Sequence, residues 1–155
     1  MDYRITGLDI SQFGHLVGLP DDELWLHGAT RVVADSSPGY PDRIELREAL
    51  VGESLILVNY THQPVESPFR SCHAVYVLEH PGDRFDQINR IPEVLHNRTI
   101  SLRAFDDRGM IIEAALAEGS DIEPAIESLL ENPDAEYLHL HYAKLGCYAC
   151  RADRA

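Results

Sequence analysis

A chain of 155 residues with 45% hydrophobic content is long enough for one well-buried core and short for two, so residues 1–155 read as one domain. The formal net charge is −13, and Lys144 is the only lysine among 13 basic residues. Such a field repels phosphate backbones and anionic lipid headgroups, which argues against nucleic acid and membrane surfaces as partners.

The opening residues, MDYRITGLDI, carry neither a charged-then-apolar signal pattern nor a cleavage site, and no apolar run is long enough to span a bilayer. A cytoplasmic location is expected. Pro20 to His27 predicts a helix, with proline at its first turn, Asp21 and Asp22 near the positive end of its dipole, and Gly28 as stop. Period-two alternation predicts strands at Arg31 to Ala34, Ser54 to Tyr60, Cys72 to Leu78, Ile100 to Phe105, Met110 to Leu116, Glu136 to Tyr142 and Cys147 to Arg151. Pro92 to Asn97 reads as a further short helix. Turn chemistry at Asp106 to Gly109 and at Lys144 to Gly146 predicts two tight hairpins; a longer loop holding Pro64 and Pro68 joins a third strand pair. Ser120, with Glu123 three residues later, has the spacing of a capping box. The helix that follows turns Ile122, Ile126, Leu129 and Leu130 inward and Glu123, Glu127 and Glu131 to water. Hairpins with two or three helices packed on a mainly antiparallel sheet make an α+β domain.

Chemistry is expected where polar residues interrupt apolar strands. Alternation counted from Asn59 carries His62 off the Tyr60 face, while His73 shares a face with Val75 and Val77 and is a candidate core histidine satisfied by a backbone carbonyl. Asn59 and Arg70 need specific partners near strand ends, and local carbonyls or Glu66 compete with a ligand for Arg70. Tyr137, His139 and His141 form the polar face of their strand. An H-x-H pair on a strand can grip one metal, with a thiolate across the hairpin as third ligand, or it can be a hydrated surface. No pair of C-x-x-C motifs supports zinc, and a regular strand puts Cys147 and Cys150 on opposite faces, so no metal site and little or no bound zinc are expected. Three cysteines without an export signal read as thiols.

Nucleophilic catalysis is the sharper alternative. The turn at Gly146 can expose Cys147 beside His139 or His141, and a cysteine nucleophile needs such a base or an electropositive setting. Cys72, between apolar neighbours, is expected to be buried. Neither a P-loop, a dinucleotide fingerprint nor a G-x-S-x-G elbow is present, and no cofactor is expected.

The blocks NYTHQPVESPFRSCHAVYV, SLRAFDDRGM and YLHLHYAKLGCYACR, in that order, resemble an uncharacterised bacterial family, domain of unknown function 1203. The resemblance implies a stand-alone bacterial cytoplasmic domain and supplies no catalytic residue. Family members commonly read Pro-Cys-Arg where this chain has Pro41-Asp42-Arg43, which removes a partner cysteine for Cys150.

Two classes of function remain. One is an enzyme or binding protein whose pocket draws on Asn59, His62, Arg70, His73, Arg103, His139, His141 and Cys147; Arg70 and Arg103 hold an anionic small molecule, a histidine moves protons, and Cys147 is nucleophile or metal ligand. The other is a non-catalytic module whose acidic segment, Glu113 to Glu136 with no Lys or Arg, meets a basic protein. Oligomeric state, a homo-oligomer included, is left open.

Overall fold

Two glycines set the hairpins on which the fold is assembled. Gly109 (φ +74°) and Gly146 (φ +84°) adopt a left-handed backbone that side-chain-bearing residues avoid. At the first turn, Asp106 Oδ1 accepts from the amides of Arg108 and Met110, both at 2.9 Å. At the second, the Gly146 amide donates to the Tyr142 carbonyl at 2.8 Å. The computed structural model describes residues 1–155.

The strands are β1 (Tyr3–Thr6), β2 (Ala29–Val33), β3 (Ser54–Gln63), β4 (Ser71–Leu78), β5 (Asp86–Ile88), β6 (Thr99–Phe105), β7 (Ile111–Glu118), β8 (Tyr137–Tyr142) and β9 (Tyr148–Arg154); the helices are α1 (Asp21–Leu26) and α2 (Ile122–Glu131). The fold is α+β, with antiparallel pairing throughout, and all seven expected strands form. They divide between a six-stranded sheet in the order β5-β1-β9-β8-β6-β7 and a three-stranded sheet, β2-β3-β4. The tight hairpins β6–β7 and β8–β9 belong to the larger sheet, and the long-looped pair β3–β4 to the smaller. Only β1 and β5 escape the sequence pattern, being too short for alternation to register. The segment at Pro92 tightens to one 3-10 turn, Glu93–Leu95.

One face of the larger sheet is covered by α2. Ile122, Ile126, Leu129 and Leu130 pack there against Ile100, Leu102, Leu138 and Leu140, all buried. The capping-box expectation does not hold: α2 is entered through a 3-10 turn, Gly119–Asp121, with no side-chain cap. Glu123 instead accepts the Tyr3 hydroxyl at 2.8 Å, because β1 runs alongside. The smaller sheet has its own core of Ile56, Val58, Val75 and Val77 with Phe13, Leu16 and Leu24, and Tyr148 of the larger sheet enters this cluster. No helix is long and apolar enough to cross a membrane.

The two sheets are tied where the hairpin tips meet. Ser67 Oγ donates to the Gly109 carbonyl at 2.9 Å. A Cβ on Gly109 would lie 2.5 Å from Val65, so this glycine is required by proximity as well as by φ. Gln63 Nε2 donates to the Tyr137 hydroxyl at 2.9 Å. These contacts hold the end of β3 over the face of β8 that α2 does not cover.

Candidate metal centre

Alternation puts Tyr137, His139 and His141 on that uncovered face, next to Phe105, Arg103 and Ser101 across the β6 ladder. On the other side, Arg151 pairs with His139 and Tyr148 with His141, after a bulge between Leu140 and His141. From the smaller sheet His62 arrives on top. Its strand also carries a bulge, between Tyr60 and Gln63. The expectation that His62 leaves the Tyr60 face is corrected, since residues two apart on a strand share a face: Tyr60 and His62 both lie against the Tyr148 ring, at 6.2 and 5.7 Å between centroids.

One ring nitrogen from each of His62, His139 and His141 lies within 4.8 Å of the other two. The hydrated-surface alternative for the H-x-H pair fails, because His139 is 4% exposed and His141 not at all. Tyr148 organises the group: it stacks on His62 at an interplanar angle of 11° and meets His139 and His141 edge-on at 84° and 89°. Phe105 and Tyr137, stacked on each other 5.2 Å apart, close the His139 side.

The protonation state follows from burial. Desolvation, and secondarily neighbouring positive groups, push His62 down to about 4, His139 to about 2 and His141 to about 3. All three imidazoles are therefore neutral near pH 7. His141 Nδ1 lies 2.9 Å from the Gly146 carbonyl, which can only accept, so Nδ1 carries the proton and Nε2 keeps its lone pair. That Nε2, together with Nδ1 of His62 and Nδ1 of His139, is buried without a hydrogen-bond partner. Each such group costs roughly 1–3 kcal/mol when left unpaired. Beside them, Arg103 donates Nε only to Ser101 Oγ, at 3.4 Å. It enters no ion pair, and burial pulls its pKa below the ordinary arginine value.

The sequence-derived pocket separates under tertiary structure. His62, His139, His141 and Arg103 meet. His73 stands at the margin: it pairs with Tyr60 across β3–β4, is half-buried, and its Nδ1 lies 3.1 Å from the Ala74 carbonyl. Asn59 is exposed on the opposite side of β3 from His62, next to Gly28. Arg70 is exposed and donates to the Pro64 carbonyl at 3.3 Å.

Cys147 does not join the histidines. Its sulfur accepts from Arg43 Nη2 at 3.2 Å. The β8–β9 bulge also overturns the opposite-face expectation for the C-Y-A-C cysteines, since Cys147 and Cys150 both pack in the α2-side cluster. Cys72, expected to be buried, is the exposed thiol, and Cys147 is 7% exposed. Sequence reasoning missed Tyr148 and Arg43 as organising residues; the resemblance drew attention to Pro41-Asp42-Arg43 only for its missing cysteine, and alternation carries no signal for Tyr148.

No curated protein and no solved structure matches the chain. The segment matched by a family model starts after β2 and includes every residue of the histidine cluster. That model, described as a protein of unknown function, DUF1203, matches residues 39–154, and the chain belongs to this family.

Proposed function

We infer that this protein binds a first-row transition metal cation, zinc being the simplest fit, through His62, His139 and His141. One observation carries the reading: three neutral imidazoles, each with an unpartnered buried ring nitrogen, face one another at the junction of two sheets. Neutral imidazole is the ligating form, and a bound cation would satisfy three lone pairs at once. Imidazoles on one tetrahedral zinc hold their nitrogens roughly 3.3 Å apart, so binding closes each pair by at most about 1.5 Å, within reach of side-chain rotation. The Gly146 carbonyl acts on His141 as the outer partner that fixes ring orientation in such sites. Spacing in the sequence offered only two of these ligands, because the third comes from a distant strand.

Three protein ligands leave a fourth position, the pattern of catalytic rather than closed structural zinc sites. Arg103, unpaired and adjacent to His139 in the ladder, supplies positive charge for an anionic oxygen ligand there. On this reading an anionic small molecule binds opposite Arg103, and Arg70, which is exposed and bonded to the Pro64 carbonyl, takes no part.

Titration with Co²⁺, whose visible spectrum reports tetrahedral coordination, tests the reading. Equimolar binding, competed by Zn²⁺ and weakened roughly 100-fold or more in His62→Ala, is the expected result. Binding that is absent, or indifferent to His62→Ala and His141→Ala alike, would discard it.

A further inference from the structure

On the opposite side of the β8–β9 hairpin, a cleft of about 350 Å³ opens between the start of β6, the hairpin turn and the Pro41–Arg43 segment. Its volume falls in the range of small-molecule sites. Arg43, Arg98, Lys144, Tyr142, Leu145 and Cys147 line it. Three cationic side chains around one cleft are unexpected in a protein of net charge −13.

The charges are also poorly compensated. Arg43 is 1% exposed, yet its guanidinium meets no carboxylate. It donates to the carbonyls of Tyr148 at 2.8 Å and Pro41 at 2.7 Å, and to Cys147 Sγ. The neighbouring carboxylate, Asp42, is turned away and accepts from the amides of Ile44, Glu45 and Leu78. Lys144 is exposed and enters no ion pair. Arg98 alone has an acidic partner, Glu48. Both guanidiniums lie over the Tyr142 ring, Arg43 at 4.8 Å and Arg98 at 5.1 Å from its centroid. The Tyr142 hydroxyl, on a side chain 95% buried by its 5% exposure, has no hydrogen-bond partner. A buried uncompensated cation and an idle hydroxyl donor both gain from a negative group nearby.

The geometry points to a second site: the cleft beside Cys147 binds a small organic anion, its carboxylate or phosphate held among Arg98, Lys144 and the Arg43–Tyr142 pair, its apolar body against Leu145. This site shares no residue with the histidine cluster, so either can exist without the other.

Cys147 reports on it directly. Alkylation by iodoacetate or iodoacetamide forms a carbon–sulfur bond, expels iodide and releases the thiol proton to solvent; the two reagents differ chiefly in charge. The overall negative field disfavours iodoacetate everywhere, so exposed Cys72 in the same molecule is the reference. Mass-spectrometric mapping on native protein is expected to give an iodoacetate-to-iodoacetamide rate ratio at Cys147 about tenfold above that at Cys72. Lys144→Gln, at an exposed unpaired residue, should reduce this preference several-fold. Inorganic phosphate slows Cys147 selectively if a phosphate is the recognised group, and succinate does so if a carboxylate is. Equal ratios at the two cysteines would overturn the site. If Cys147 labels with neither reagent, amide shifts at residues 144–148 on titration with phosphate or succinate decide: localised shifts support the site, and none refute it.

Discussion

Cys147 and Tyr148 are consecutive residues that serve opposite environments. Tyr148 faces the smaller sheet and cages three neutral histidines; Cys147 faces a cleft lined by arginines and a lysine. Both environments are polar and embedded in apolar surroundings, yet burial acts on them differently. A histidine answers desolvation by giving up its proton and becoming a ligand for cations. Arginine, which stays charged in proteins, cannot follow and remains a cation in need of an anion. Under the two proposals one hairpin carries a cation-seeking face and an anion-seeking face, and Arg43 links them through its hydrogen bond to the Tyr148 carbonyl.

The comparison breaks most severely at Asp42. Its wholly buried carboxylate accepts three backbone amides and braces the segment that presents Arg43. Asp42→Ala leaves those donors unpaired and should cost about 3–5 kcal/mol in urea unfolding. In the molecules that stay folded, Co²⁺ stoichiometry should persist while the iodoacetate preference at Cys147 falls. Loss of both together would mean that the two faces are one site.

Gly109→Ala attacks the other face. A left-handed φ and a Cβ 2.5 Å from Val65 together predict a loss of about 1–3 kcal/mol, measured by thermal unfolding. Displacement of the β3–β4 loop should lift His62 and weaken Co²⁺ binding about tenfold, leaving Cys147 labelling unchanged. A variant of wild-type stability and metal affinity would show that the hairpin tips do not hold His62 in place.

A pH slope distinguishes the faces in the metal-free protein. The histidines have folded pKa values below their unfolded value of about 6.5. Above that pH they are neutral in both states and add no pH dependence. As pH falls below it, the unfolded chain takes up protons that the native state refuses, so stability declines until the folded pKa values are reached. Each refused proton contributes up to about 1.4 kcal/mol per pH unit between roughly pH 6 and 4. His139→Phe should flatten the slope, whereas Lys144→Gln should not; an unchanged slope in His139→Phe would show that this ring protonates freely in the fold.

Much of this could be read from local pattern. Period-two alternation marks each longer strand because alternate side chains meet different environments, and Gly109 and Gly146 mark the tight turns because other residues resist their backbone angles. The H-x-H pair announces two of the three clustered histidines. What sequence alone does not carry is which polar residues share a site. His62 reaches His139 and His141 because two separate sheets dock through Gly109, Val65, Gln63 and Tyr137. Two single-residue bulges lie at the site, one in β3 beside His62 and one in β9 that pairs Tyr148 with His141. Alternation is a property of one strand and its immediate environment, whereas docking and bulges depend on the packing of segments far apart in the chain. Arg43 and Cys147 therefore meet with no periodic signal to announce it.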